Sequence, residues 1–374
     1  MRHGSRSPFQ SFSTSRQTPL DALRNIWELA SSIDKSLLCA PTLFRRLSKR
    51  RIMAERYSRE KLFDGMISSE PVLFSGFPLR LRNGGAKIGK TIVLNEICAG
   101  FPDNKWARVR SNGAISYSHV PAVINRWLTG HARFGVTDLH YIGTRFDAHL
   151  DTRALNDFNL LPRGTDGFQS QDSLVISTAG AFTDSHSDDH SGSNHCFVGT
   201  KIWLMWDTAE GLANGIEDVE RCRVSNRAAF DMPGFLSLSS SRWLLISEGQ
   251  TIFIPGHLTH KVITLEDYLG LGSFHVALPG MADSLARWSI SRPLWETKRI
   301  RREGRGIAFI TSRAIRKLQS LKNASDAEKR RWGLPYLRKR LSEIESKEAP
   351  HLGLAFQNGA PELIRFLRAA KQLE

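Results

Sequence analysis

The chain has 374 residues, of which 41% are hydrophobic and 24% charged, so a sizeable core is expected and global disorder is not. Lys and Arg outnumber Asp and Glu by 52 to 37, and the resulting +15 indicates either an acidic partner, such as nucleic acid or chromatin, or a solvated basic surface. Four cysteines without a C-x-x-C pair argue against a zinc module, and no apolar run reaches the roughly 20 residues of a membrane span. We therefore expect a nuclear or cytoplasmic protein with no membrane partner; the composition does not indicate an oligomeric state.

The N-terminal third predicts helices followed by short strands. Residues 1–18 are polar and predict a disordered tail, and Pro19 then opens a helix that continues to Ile33. A second helical pattern runs from Leu43 to Leu62. It carries a basic cluster that is either a nuclear-import or phosphate-contacting patch or a solvated helix face: Arg45, Arg46, Lys49, Arg50 and Arg51. With short strand candidates after Pro71 and a helical pattern at 120–128, we assign residues 19–135 to a mixed α/β region.

One motif in this region predicts a different function. Residues 84–91 match the P-loop pattern G-x-x-x-x-G-K-[ST], and Ile202–Asp207 resembles a magnesium-holding strand. A P-loop must follow a buried strand and open a helix. Here Leu79–Arg82 alternates apolar and basic residues, and Thr91–Leu94 is a poor helix opening. We favour a β-hairpin at Asn83-Gly84 with Lys90 exposed, and keep a nucleotide hydrolase as the less favoured alternative.

The second half divides into a strand-rich part and a helical part. Residues 173–278 alternate short β-rich runs with polar turns, which is typical of a barrel or sandwich. After Pro279 the apolar spacing is helical. This helical part contains two further basic clusters: Lys298, Arg299, Arg301, Arg302 and Arg305, then Lys329, Arg330, Arg331, Arg338, Lys339 and Arg340.

A set of polar residues in the strand-rich part predicts a metal site. His186 and Asp188 are two residues apart on a predicted strand, so their side chains point to the same face. One imidazole and one carboxylate form two-thirds of the 2-His-1-carboxylate triad that binds non-haem Fe(II). A second histidine, 74 residues later, begins another predicted strand at His260; His257 is its rival.

Lys201 predicts an anionic ligand near this site. It lies among apolar strand residues and needs a partner if it points inward. A carboxylate of 2-oxoglutarate is such a partner, and Thr183 and Asn194 are candidates for neutral hydrogen bonds to the same group.

Together these residues resemble the JmjC family of oxygenases. The likeness covers roughly residues 140–280 and rests on three ordered motifs: Thr183-x-x-His186-x-Asp188, Gly199-x-Lys201-x-Trp203 and Pro255-Gly256-x-x-x-His260-x-Val262. The resemblance implies that His186, Asp188 and His260 bind iron, and that Thr183, Lys201 and Asn194 bind 2-oxoglutarate. It implies a double-stranded β-helix (jelly-roll, cupin) core, at 136–282 of an α+β protein. The helical spacing that follows predicts a basic helical region at 283–374.

The resemblance also implies an activity. It is that of an Fe(II)- and 2-oxoglutarate-dependent dioxygenase that hydroxylates or demethylates a protein, histone lysine being one candidate. The positive charge, and not the resemblance, is what indicates nucleic-acid contact through the basic clusters. The alternative from a different class is a non-catalytic cupin-like protein that binds chromatin or nucleic acid. The chain departs from the family at His275, where relatives carry a small or amide residue, and in the ligand-rich loop at 188–195.

Overall fold

The structure is a computed structural model. It describes residues 19–38, 43–68, 70–81, 97, 99–102, 105–111, 114–130, 132–165, 168–188, 190–216, 230–256, 258–291, 300–345 and 360–372. The predicted tail at 1–18, the P-loop match at 84–91 with its predicted hairpin, and His257 lie outside these residues.

The described residues form an α+β protein whose strands make two large sheets. The first half contributes short strands and one hairpin: β1 (Glu55–Arg56), β2 (Val72–Ser75), β3 (Arg80–Leu81), β4 (Trp106–Ser111), β5 (Ala114–His119), β6 (Gly135–His140) and β7 (Leu150–Asp151). The second half contributes longer strands: β8 (Ser173–Ser177), β9 (Phe182–Ser187), β10 (Ser191–Val198), β11 (Lys201–Asp207), β12 (Arg242–Ile246), β13 (Gln250–Ile254), β14 (Leu258–Thr264) and β15 (Tyr268–His275).

The helices flank the strands. Those before β8 are α1 (Pro19–Ile33), α2 (Phe44–Lys49), α3 (Arg59–Ser68), α4 (Val120–Thr129), α5 (Arg145–His149) and α6 (Arg153–Asn156). Those after β8 are α7 (Thr208–Ala213), α8 (Met232–Ser237), α9 (Met281–Ser291), α10 (Ile300–Leu321), α11 (Asp326–Arg331), α12 (Leu334–Glu345) and α13 (Pro361–Lys371). None of the helices within the described ranges has the length and apolarity needed to cross a bilayer.

The sheets differ in width. The larger has nine strands in the order β1-β2-β13-β10-β15-β8-β6-β4-β5, and the smaller has four in the order β12-β11-β14-β9. Neither closes on itself within the described residues, and β3 pairs separately with β7. The larger sheet combines strands that precede residue 135 in the sequence with strands that begin at or after it.

Four cores position the sheets. One fills the space between them and includes Val175, Trp203 and Val262. Another lies on the far face of the larger sheet against α3 and α4, and a third lies between the smaller sheet and α1. The fourth joins α9, α10, α12 and α13 into a C-terminal bundle. The space between the sheets is thus supported from both outer sides.

The helical prediction for 43–62 is wrong in its middle. The chain forms α2 and α3, but between them it is extended: Arg51 bridges to Trp243, and β1 pairs in parallel with β2. Tertiary pairing overrides local propensity here. The guanidinium of Arg51 lies 5.2 Å from the centre of the Trp243 ring, so this member of the basic cluster packs against the core.

Candidate metal centre and adjoining cavity

A cavity of about 260 Å³ lies between the two sheets. Side chains of both sheets line it, and all six residues that the sequence predicts for a site are among them: Thr183, His186, Asp188, Asn194, Lys201 and His260. The fold thus brings together residues that span 77 positions, although their roles stay predictions.

His186, Asp188 and His260 form a cluster with metal-ligand chemistry. Each offers one ligand atom, and the three atoms lie within 4.8 Å of one another. His186 and His260 are directly opposite on the paired strands β9 and β14, with ring centres 4.2 Å apart. His260 Nε2 lies 3.8 Å from Asp188 Oδ2. The cluster is close enough for one cation to bind all three side chains.

Hydrogen bonds orient both imidazoles. His186 Nδ1 donates to the carbonyl of Asp184 at 2.8 Å, and His260 Nδ1 makes a longer contact of 3.4 Å with the carbonyl of Leu258. Because a carbonyl oxygen only accepts, Nδ1 of His186 is the donor, and Nε2 is the ring nitrogen left to bind a metal. Burial and the neighbouring His186 lower the pKa of His260 well below its usual value, so His260 is neutral.

A bulge in β9 explains the spacing of Thr183 and His186. Residues three apart on a regular strand face opposite sides. Here the three-residue step from Thr183 to His186 lies opposite a two-residue step from Val262 to His260, and the register shifts between them. A bulge of this kind re-aims a side chain. Thr183 and His186 therefore both face the cavity.

Lys201 is a buried cation without an acidic partner among the described residues. It is 4% exposed, and its Nζ lies 3.1 Å from Ser177 Oγ and 4.1 Å from the centre of the Tyr268 ring. Burial lowers its pKa to about 7. An isolated ammonium in such a place is costly unless an anion is nearby, so the cavity suits a ligand carboxylate.

The turn before Lys201 depends on glycine. Gly199 has φ +87°, and a Cβ there would lie 2.1 Å from the carbonyl oxygen of Asp267. A side chain at this position is excluded by both conformation and space. The turn takes the chain from β10 in one sheet to β11 in the other, and Lys201 is the first residue of β11.

Asn194 lies on the opposite wall from Lys201. It is on β10, 6% exposed, and its Oδ1 accepts a hydrogen bond of 2.5 Å from the Tyr268 hydroxyl. Because Tyr268 contacts both Asn194 and Lys201, one buried phenol links the two predicted co-substrate residues. The amide nitrogen of Asn194 is the donor that this bond leaves for a ligand.

Three further histidines lie near the site but outside the metal cluster. His195 Nδ1 pairs with Thr251 Oγ1 at 2.7 Å, and His275 Nε2 pairs with Ser193 Oγ at the same distance. Burial lowers the pKa of His195 to about 4 and that of His275 to about 3. His190 lines the cavity among the rings of Phe168, Phe274 and Trp288, outside the metal cluster.

The cavity mouth contains residues that the sequence did not single out. Arg110 of β4 and Asp138 and His140 of β6 line it, together with Gln171. Gln171 has φ +46°, and it is the single non-glycine residue with positive φ in the described part of the chain. Strain of this kind often accompanies a functional wall. A lone Gln in a polar loop has no sequence signal that would have revealed it.

Several residues of the predicted C-terminal basic clusters make internal ion pairs. Arg340 is buried and pairs with Asp283, and Arg331 lies 3.0 Å from Asp157. The side chains of residues 298–305 lie outside the described part of the structure. Exposed and unpaired members remain at Arg45, Arg46 and Lys49 of α2, among the described residues.

A comparison with known protein families finds no family model that matches the chain, and a comparison with the curated proteins also finds no match.

Proposed function

We propose that the protein is an Fe(II)- and 2-oxoglutarate-dependent oxygenase of the JmjC type that oxidises a C–H bond of a macromolecular substrate. The observation that carries this proposal is the presence of two features in one cavity: the His186, Asp188 and His260 cluster, and the buried Lys201 without an acidic partner among the described residues. A metal-binding cupin needs only the first feature. A carboxylate co-substrate accounts for the second.

The proposal includes a jelly-roll fold for β8–β15. The supporting observation is that these strands pair in a nested order, β8 with β15, β9 with β14, β10 with β13 and β11 with β12, and alternate between the two sheets. Two Greek keys of eight strands produce this order.

The donor set fits Fe(II), because two imidazoles and one carboxylate leave open positions for a co-substrate and dioxygen. When bound, the ion supplies dioxygen activation, in which 2-oxoglutarate loses CO₂ to give succinate and one oxygen atom enters a substrate C–H bond. Insertion at an N-methyl group leads to formaldehyde loss and hence to demethylation.

The chain's own residues orient and enclose these reactants. Lys201 pairs with the distal carboxylate of 2-oxoglutarate. The negative charge of that carboxylate favours the protonated form of Lys201, which burial alone disfavours. Asn194 and Thr183 hydrogen-bond the same carboxylate. Trp203 and Val262, which line the cavity beside them, exclude water. A protein substrate, histone lysine included, stays a proposal from the family resemblance.

The test is the visible charge-transfer band that forms when Fe(II) and 2-oxoglutarate are added to the protein without oxygen. We expect the band in the unchanged protein and in His149→Ala, a control at a half-buried histidine on α5 away from the cluster. We expect no band in His186→Ala, because one metal ligand is lost.

A second variant separates the co-substrate from the metal. Lys201→Met should keep Fe(II) binding, measured by calorimetry, and lose the band. If the unchanged protein binds Fe(II) but gives no band, the alternative of a non-catalytic cupin-like protein replaces the proposal. Nucleotide binding that disappears in Lys90→Ala would instead support the hydrolase.

A further inference from the structure

The β4–β5 hairpin carries an exposed surface of rings and guanidinium groups. Opposite residues on paired antiparallel strands share a face. The pairs that face away from the core are Trp106 with His119, Arg108 with Tyr117 and Arg110 with Ile115. We call these six residues the shelf. The rings of Trp106 and His119 lie 3.8 Å apart, in agreement with this assignment.

The shelf is held firmly but is not covered by any described residue. Ala107 and Val109, on the other face of β4, are 1% and 0% exposed and pack into the core of the larger sheet. On the shelf, Trp106, Ile115 and Tyr117 remain 55%, 51% and 66% exposed. Exposed aromatic rings on a rigid strand pair are typical of a binding surface.

The shelf continues into the cavity. Arg110 belongs to both, since it lies on the shelf and lines the cavity mouth. In the larger sheet, β5 and β4 come next to β6 and β8, and β6 and β8 also contribute cavity-lining residues, including His140 and Ser173. A chain that lies along the shelf is therefore led to the metal cluster.

The charge of the hairpin is entirely positive. Residues 105–119 contain Lys105, Arg108 and Arg110 and no Asp or Glu. Arg108 lies 3.4 Å from Asp138, but no carboxylate among the described residues lies within ion-pair distance of Arg110. Buried and unbonded within the described part, Arg110 Nε also lacks a hydrogen-bond partner. An anion at the cavity mouth would satisfy this group.

We propose that the shelf binds single-stranded nucleic acid and directs a nucleotide into the cavity. Phosphates pair with Arg108 and Arg110, while unstacked bases lie on Trp106 and Tyr117, the combination by which proteins bind single strands. The identity of the reaction on that nucleotide rests on the proposed function, whereas the binding surface does not. A base in a duplex has no free face for these rings, so the duplex binds more weakly.

An acidic peptide and a second copy of this chain are the competing occupants. A peptide would use charge but has no planar bases for two exposed rings. A second copy would pair along β5, which is the edge strand of the sheet and has no Pro, Lys or Glu to protect it. The rings and guanidinium groups together favour nucleic acid.

The test measures anisotropy of a labelled 12-nucleotide single strand, as RNA and as DNA, without iron or 2-oxoglutarate. We expect Tyr117→Ser and Trp106→Ser each to weaken binding about 10-fold, since each removes one stacking ring. Arg108→Gln should lower the slope of log affinity against log salt by about 0.7. Phe309→Ser and Arg316→Gln, an exposed ring and an exposed cation on α10, are matched controls that should bind as the unchanged protein does.

Contrary outcomes are equally definite. Equal affinity in all shelf variants, or tighter binding of a 12-residue poly-glutamate or of a 12-base-pair duplex, would overturn the inference. So would a dimer in sedimentation that Tyr117→Ser dissociates. His186→Ala should still bind the single strand, because the shelf does not include the metal cluster. If the unchanged protein binds the strand but releases no succinate with Fe(II) and 2-oxoglutarate, the proposed reaction is refuted and the binding surface is not.

Discussion

Two buried lysines, Lys201 on β11 and Lys261 on β14, differ in what neutralises them. Lys261 is 5% exposed and lies 2.9 Å from Asp34 and 3.9 Å from Asp184. Lys201 is equally buried and faces a serine and an aromatic ring. A buried ammonium whose counter-ion comes with a ligand reduces the stability of the free protein and contributes to binding.

We expect Lys201→Met to raise the free energy of unfolding at pH 7 by at least about 1 kcal/mol, because it removes an uncompensated buried charge. Above pH 7 the folded Lys201 is neutral while the unfolded one stays charged up to about pH 10.5. The unfolded state then binds more protons, so stability rises with pH between these values by up to about 1.4 kcal/mol per unit. Urea unfolding between pH 7 and 10 measures both the free energy of unfolding at pH 7 and its rise with pH. In Lys201→Met the rise with pH should disappear.

Lys261→Met is the matched control. It removes the cation that pairs with Asp34 and should lower the free energy of unfolding by roughly 2 kcal/mol. If both methionine variants are destabilised alike, Lys201 has a counter-ion in the free protein and is not reserved for a ligand.

At the residue scale the sequence predicted the cluster in part. The two-residue spacing of His186 and Asp188 was sufficient to place them on one face. Thr183 was a candidate for a hydrogen bond to the co-substrate, but its odd spacing from His186 did not predict a shared face. That shared face requires the bulge, and a bulge depends on the partner strand β14. The Tyr268–Asn194 hydrogen bond joins residues 74 positions apart and has no local signal.

Among the elements, those with strong periodicity were predicted well. The helix from Pro19 to Ile33 is confirmed, as are the helical patterns that became α4, α12 and α13. The β4–β5 hairpin was missed although Asn112-Gly113, a favoured turn dipeptide, separates its strands. Its alternation of rings, cations and small residues is polar enough to resemble a loop.

Helix α1 covers the outer face of the smaller sheet through Trp27. The ring is 1% exposed and lies 5.4 Å from the Trp243 ring, edge to face. We expect Trp27→Ala to lower the free energy of unfolding by about 3–5 kcal/mol, because it leaves a large cavity. Urea unfolding measures this, and Leu38→Ala, at a 68% exposed side chain, should change little. A loss below about 1 kcal/mol would mean that α1 is only loosely attached.

At the scale of the whole molecule, the nested pairing of β8–β15 determines the site and was beyond local pattern. Short apolar runs indicated a barrel or sandwich, yet which run pairs with which depends on contacts across as many as 99 positions, as between Ser173 and Gly272. A strand-rich α+β chain was predictable; the division into two open sheets and the strand order required the structure.

A buried ion pair joins two helices of the C-terminal bundle. Asp283 on α9, soon after β15, binds Arg340 of α12 through two hydrogen bonds of 3.0 and 2.6 Å. We expect Arg340→Met to lower the free energy of unfolding by about 3 kcal/mol, since it removes one partner of a buried ion pair. Urea unfolding followed by tryptophan fluorescence measures it.

Arg365→Gln is the control for that prediction. Arg365 forms a comparable pair with Glu362 on α13, but its side chain is 51% exposed, and such surface pairs contribute under about 1 kcal/mol. Equal effects of the two variants would show that the buried pair does not hold the bundle.

The bulge in β9 lets an odd number of steps separate Thr183 from His186 while both side chains face the cavity. Deleting Ser185 would leave the two residues two positions apart, and residues two apart on a regular strand share a face. A chain that is shorter by this one residue would therefore still present both side chains to the cavity. The same two residues could thus meet in a straight strand or in a bulged one, provided that the paired stretch of β14 keeps its two-residue step.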